Sequence, residues 1–176
     1  MAPEAPRGYV AETNVLSNRG DVEGDPNLVA WLRRYAGRVR VSVVTVAEMR
    51  RGLILLEIKV AAVADRKVKA REQARLARKR AWYDEVTGRF ADRVEPIDVA
   101  VAEKWAAVSV RFPALRDADK AIAATALAKG YGVATENLGH FREAGVPLVN
   151  PFDPGTWDEA GDENRDNDPI TSLLRR

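Results

Sequence analysis

Apolar positions along this chain fall into short continuous runs and helical stripes that alternate, with Gly, Pro and polar clusters between them. Residues 8–11 read as a short buried strand ending at Glu12, and Thr13 and Asn14 are suited to cap a following turn of helix. A polar loop over 19–26 comes next. Leu28, Trp31, Leu32 and Tyr35 recur at helical spacing and predict an amphipathic helix over 27–36, closed by Gly37. Val39, Val41, Val43 and Val44 predict a β-branched strand. Thr45 then stands as the N-cap of another helix, with Glu48 three residues on in a capping-box pattern.

Helical character runs over 46–58 and resumes over 60–90, a stretch long enough to predict a helical hairpin rather than one rod. Residues 94–97 predict a further strand, and Pro96 marks it as an edge or an end. Trp105 lies on the apolar side of a helix over 99–112. The strongest helix signal is 117–129, Ala-rich after Asp119 and stopped by Gly130. A strand over 131–135, a turn and short helix over 137–143, and a last strand over 146–149 complete the series. Strands alternating with helices predict an α/β fold with a central, mostly parallel sheet flanked by helices. Beyond Pro154 the composition turns to Gly, Asp and Asn. The chain therefore divides into one domain over 1–154, with a helical, basic insertion at about 56–90, and a flexible acidic tail over 155–176.

Composition narrows the chemistry. A chain of 176 residues with 46% apolar content can bury one full core. With no Cys, disulfides, thiolate zinc sites and cysteine nucleophiles are excluded, and a single His, His140, excludes a two-His metal site. No apolar run reaches membrane-spanning length and the first residues lack a signal peptide's apolar stretch, so a cytoplasmic protein is expected. Net charge is only +2, yet its distribution is uneven. Nine Lys or Arg lie between Lys59 and Arg80, and six acids between Asp158 and Asp168. Most of the basic arm is accounted for by a solvated helix face; Arg78, Lys79 and Arg80 are its candidates for contacting nucleic-acid phosphates.

Three acidic residues carry the functional signal. Glu12, Glu48 and Asp119 each sit where an apolar segment meets a polar position, so a parallel sheet could bring them to one rim, beyond the carboxyl ends of its strands. Carboxylates gathered in this way repel unless a cation neutralises them, and all-oxygen clusters suit Mg²⁺ or Mn²⁺. The favoured chemistry is in-line attack of a metal-activated water on phosphorus. For Glu48 a plain helix-capping role is an equal alternative.

At these positions the chain resembles the PIN-domain ribonucleases, in particular the VapC and FitB toxins of bacterial toxin–antitoxin pairs. The likeness rests on Glu-Thr-Asn-Val-Leu-Ser (12–17), Ser-Val-Val-Thr-Val-Ala-Glu-Met-Arg-Arg-Gly (42–52) and Asp-Lys-Ala-Ile-Ala-Ala-Thr-Ala-Leu-Ala (119–128). Val-Ala-Thr-Glu-Asn-Leu-Gly-His-Phe (133–141) and Gly-Val-Pro-Leu-Val-Asn-Pro-Phe (145–152) follow in the same order. The resemblance implies a three-layer α/β sandwich and a cytosolic Mg²⁺- or Mn²⁺-dependent endoribonuclease. It further implies a homodimer held by a small VapB-like antitoxin, which reaches operator DNA only through that complex. It places Glu12, Glu48 and Asp119 in the metal site, Thr13 and Asn14 as orienting groups, and Thr135 and Asn137 beside the pocket.

The chain departs from the family pattern in two ways. Glu12 stands where the family has Asp, and the extra methylene moves the carboxylate by about 1 Å, against a ~0.2 Å tolerance for a metal–ligand distance. The family's fourth acid is missing from the Asn137 and His140 positions, leaving Glu136 or His140 as candidates to complete the site. An active, attenuated RNase toxin is therefore expected; the alternative is a catalytically silent PIN domain that serves as a partner in the antitoxin–operator complex.

Overall fold

The computed structural model describes residues 5–17 and 25–157. Most of the polar loop expected over 19–26 and of the acidic tail, including all six of its acids, lies outside the described residues.

The chain alternates strands and helices as the pattern requires: β1 (Tyr9–Ala11), α1 (Thr13–Ser17), α2 (Pro26–Tyr35), β2 (Val39–Ser42), α3 (Val43–Ala61), α4 (Arg66–Arg89), β3 (Val94–Glu95), α5 (Val99–Arg111), α6 (Asp117–Lys129), β4 (Gly132–Ala134), α7 (Leu138–Phe141) and β5 (Leu148–Val149). All four strand pairings are parallel, and the sheet order is β3-β2-β1-β4-β5. β3 lies at an edge, as Pro96 foretold. The order reverses at β1, whose neighbours are β2 and β4, so the crevice beyond the carboxyl ends of β1 and β4 is the topological switch point.

Alternation along β1 explains the layering. Tyr9 and Ala11 enter one core with Trp31, Tyr35, Val41, Met49 and Phe90, while Val10 enters another with Ile122, Ala126, Val133 and Phe141. Both faces of the sheet are covered, giving a three-layer α/β sandwich. α6 supplies the second face, and every residue from Asp119 to Ala126 is buried. Alanines dominate this stretch because larger side chains could not be accommodated on all sides of a helix so enclosed. Gly130 ends α6 in the left-handed region, with φ 69°.

Three local expectations need correction. Val43 and Val44 belong to α3, not to the second strand. Ser42 is the N-cap, and its hydroxyl accepts from the amide of Val44. The cap overrides the β-branched preference of the two valines. Thr45 consequently does not cap the helix; its buried hydroxyl donates to the carbonyl of Ala11 at 3.4 Å, tying α3 to the end of β1. The helical hairpin turns at 62–65, with Asp65 capping α4, rather than near Lys59. Leu53 and Val60 of α3 pack with Leu76 of α4 in a small separate core that holds the hairpin together. At the carboxyl end, the turn Pro154–Thr156 carries the described chain past 154, and the Trp157 ring stands edge-on to Tyr35.

β1 and β2 approach so closely that only glycine fits before Tyr9. A Cβ on Gly8 would lie 2.4 Å from the carbonyl oxygen of Arg38. Gly8→Ala should therefore lower unfolding free energy by about 1–3 kcal/mol, the usual cost of overpacking. Gly88→Ala, where the added methyl meets nothing within 4 Å, should leave stability unchanged or slightly higher. Urea unfolding of both variants measures the difference, and equal midpoints would refute the tight contact.

Candidate active site

β1 delivers Glu12 to the switch point, and β4 delivers Thr135 beside it. The Glu12 amide donates to the carbonyl of Ala134 at 3.0 Å, so the two strand ends remain in register. The Glu12 carboxylate is buried, and its Oε2 accepts from the Thr135 hydroxyl and from Asn14 Nδ2, the latter at 3.1 Å. Its Oε1 lies 3.9 Å from the Arg116 guanidinium. One oxygen is thus fixed by neutral donors while the other faces the crevice charge.

Thr13 and Asn14 do not cap α1. Thr13 donates to Glu48 Oε2 at 3.0 Å, and Asn14 bridges Glu12 and Thr135. Glu48 lies in the second turn of α3, six residues beyond the true N-cap, so the capping-box alternative for it is removed by the structure. Thr135 Oγ1 also accepts from the backbone amide of Asn137 at 2.9 Å. Asn137 therefore enters the network through its main chain, and its residue is exposed.

Asp119 is 1% exposed in the first turn of α6, where the helix dipole favours a carboxylate. Its partner is Arg116, which sequence reasoning missed. Arg116 donates through Nε to Oδ2 at 2.9 Å and through a terminal nitrogen to Oδ1 at 2.6 Å, a bidentate pair. The available signal was an Arg three residues before an acid at a helix start, where i and i+3 side chains share a face. Both candidates for a fourth group are exposed; His140 approaches the acids, with Nδ1 3.8 Å from Asp119 Oδ2. In the basic arm, Arg80 makes two hydrogen bonds to Glu57 and Lys79 lies over the Trp82 ring at 5.8 Å, while Arg78 is exposed.

Burial is the main cause that raises the pKa of Glu12 above the usual Glu range. The Thr135 hydrogen bond opposes it, Asp119 and Glu48 raise it further, and Arg116 lowers it. Arg116 in turn is held more firmly in its charged form, chiefly by its hydrogen bonds to Asp119. Three carboxylates share one guanidinium, so the site carries excess negative charge.

That excess, the all-oxygen donors and a buried Asn14 Oδ1 with no hydrogen-bond partner fit a hard divalent cation with its water. Among the described residues no three acidic or imidazole groups form a ready cation cage, and Asp119 is held by Arg116. The donor chemistry fits; the guanidinium stands in the way.

The PIN domain family matches the chain over residues 9–146. The chain belongs to the PIN domain family. The VapC ribonuclease Y4jK of Sinorhizobium fredii is 33% identical over 150 residues, covering 82% of this chain and 98% of that protein. The plasmid stability protein StbB of Pseudomonas syringae pv. tomato is 30% identical over 147 residues, covering 81% and 96% respectively. Among solved structures, FitAcB from Neisseria gonorrhoeae superposes with a TM-score of 0.61 at 29% identity, over 82% of this chain and 98% of that one. FitAB bound to an IR36 DNA fragment gives 0.57 at 31% identity, over 82% and 96%. The chain is thus a PIN-domain toxin of the VapC/FitB type, as its motifs implied. Among the described residues, no helix is long and apolar enough to cross a membrane.

Because the pKa of Glu12 is raised, the folded chain retains a proton that the unfolded chain releases. Stability from this group is then full below the usual Glu range and falls as pH rises through the higher folded pKa. Glu12→Gln removes the ionisation. Its stability relative to the wild type should therefore rise from about pH 4 to pH 8 in urea unfolding. Parallel pH profiles for the two proteins would show that Glu12 is not strained by its burial.

Proposed function

We propose that the chain is a metal-dependent endoribonuclease toxin that a small antitoxin holds inactive. The observation that carries this reading is the pair of buried acids, Glu12 and Asp119, at the switch-point crevice, with Glu48 close by and one guanidinium for all three. A structural core does not bury carboxylates without equal compensation, whereas a cation site does so by design.

Glu12 through Oε1, Glu48 and Asp119 would hold Mg²⁺ or Mn²⁺. When bound, the cation would polarise the phosphodiester and activate the attacking water. The chain's own groups do the positioning. Thr135 and Asn14 fix Oε2 of Glu12, and Thr13 fixes Oε2 of Glu48, which leaves one oxygen of each without these donors. Asn14 Oδ1 offers an acceptor for a water hydrogen. His140 stands beside Asp119 as a further donor, and Arg78, exposed on the basic arm, would be open to RNA phosphates.

The antitoxin part of the reading has its own support. Ile54, Leu55 and Ile58 on α3 and Val68 on α4 are 43–62% exposed, an apolar display on the hairpin that suits an amphipathic partner helix. The full reading is a cytoplasmic homodimer that reaches operator DNA only through its antitoxin. The second reading, a silent PIN domain, draws on the Arg116–Asp119 pair, which occupies one of the proposed ligands.

Calorimetric Mn²⁺ titration separates the two. The wild type should bind Mn²⁺, and Asp119→Asn should lose at least about tenfold in affinity and nearly all RNA cleavage. Unchanged affinity in that variant would sink the proposed site. The longer acid offers a further check. If it misplaces the reacting groups by about 1 Å, Glu12→Asp should raise the cleavage rate by up to about 100-fold at saturating metal. An equal or lower rate would show a site adapted to Glu.

A further inference from the structure

α4 presents a cationic stripe to solvent. Lys67, Arg71, Arg75 and Arg78 follow one another at helical spacing, so they line a single side of the helix, and all of them are exposed. Leu76, which packs with Leu53 and Val60 of α3, lies on the opposite side, so the stripe faces away from the hairpin's own contact. Like charges at this spacing repel and weaken a helix. Among the described residues the stripe meets one acid, Glu72, 3.5 Å from Arg75, and Lys67, Arg71 and Arg78 make no ion pair. The stripe leads toward Trp82, one turn beyond Arg78, and Trp82 packs against the same core cluster as Trp157. The chain beyond Trp157 therefore starts from the core on which this end of α4 rests. It carries the opposite charge, with six acids against Arg165 between Asp158 and Asp168. Residues 158–168 can span at most about 36–40 Å, and the stripe is only about 17 Å long.

We propose that residues 158–168 lie along the Lys67, Arg71, Arg75 and Arg78 face of α4, as a tethered acidic segment that shields this stripe from polyanions. Each exposed ion pair is weak, and a free peptide of this charge would gain little from the helix. Tethering makes the contact intramolecular, at an effective concentration on the order of millimolar, so several weak pairs suffice to populate it. The contact also relieves the repulsion along α4. The segment is favoured over a separate polyanion as the occupant because every copy of the chain carries it. The proposal does not depend on the ribonuclease reading; within that reading the segment becomes a competitor of RNA for Arg78.

The chain has no Cys, so Asn167→Cys places a single nitroxide label among the acids of the full-length protein. In about 0.01 M salt the label should broaden the amide signals of α4 from Lys67 to Arg78, and in about 1 M salt, where screening shortens to ~3 Å, they should recover. Recovery at low salt should also follow from Lys67→Gln, Arg71→Gln and Arg78→Gln made together, with a thermal melt to confirm the fold. The salt comparison needs no change on α4 and decides the matter even if that variant does not fold. Fluorescein-labelled heparin then serves as the polyanion. Asp158→Asn, Glu159→Gln, Asp162→Asn and Glu163→Gln made together should tighten heparin binding about fivefold or more, the upper worth of one exposed ion pair. With the three α4 cations already replaced, the same four changes should alter affinity by less than about twofold, because the surface they uncover is gone. Broadening confined to other parts of the fold, such as the Ile54, Leu55 and Ile58 display, or broadening of α4 that survives about 1 M salt, overturns the proposal. So does an equal gain in heparin affinity with and without the α4 cations, which is the effect of net charge alone. No readout here uses RNA cleavage, so failure of the proposal leaves the ribonuclease reading intact.

Discussion

The constraint on which this molecule turns is the burial of like charges at the centre of a parallel sheet. Glu12 and Asp119 are almost wholly removed from water, and Glu48 adds to the potential that Glu12 feels. Such an arrangement disfavours folding unless something compensates, because neither desolvation nor mutual repulsion favours the ionised forms. The surrounding fold is organised to meet that demand. Thr135, Asn14 and Thr13 supply neutral donors, the start of α6 supplies its dipole, and Arg116 supplies the positive charge.

The same demand explains how the scaffold is tied together where the acids stand. β1 and β4 are held together at the rim by the bond from the Glu12 amide to Ala134, and Thr45 anchors α3 on the carbonyl of Ala11. α6 brings Asp119 inward by burying a run of small residues, which lets its backbone lie close to the sheet. Each acid is therefore placed by an element end that also belongs to the core. Moving any one of them means disturbing a packed layer, which is how a fold keeps carboxylates closer than they would choose.

Most of this was legible in the residues because the acids coincide with changes of periodicity. Glu12 ends a strand and Asp119 starts the clearest helix in the chain, so their rim position follows from topology alone. The strand-to-helix boundary before Glu48 was not legible in the same way. Val43 and Val44 carry β-branched side chains, and only the hydroxyl of Ser42 accepting from the Val44 amide shows that the helix has already begun. Asn137 was identified by its side-chain type, yet its backbone amide is what meets Thr135. Arg116 escaped notice because an arginine in a surface connection is ordinary. Its importance comes from a bidentate geometry that spacing suggests but cannot establish.

Arg116 also resolves a tension between the two demands on such a site. A chain that buries acids for a cation must still fold when no cation is bound, and an empty cluster would be costly. A permanent counter-ion in the core would solve folding but block the site. A guanidinium on an exposed side chain meets the first demand without being buried in the core, since its charge is present when the chain folds. For a metal-dependent enzyme the cost would fall on cation affinity, reduced by the free energy of the Arg116–Asp119 pair. An antitoxin that presents an arginine of its own to these acids would exploit the same electrostatics, as a partner supplying in trans the charge that Arg116 supplies in cis. On the proposed reading, resting stability, cation affinity and inhibition would then be three expressions of one excess negative charge at the end of β1.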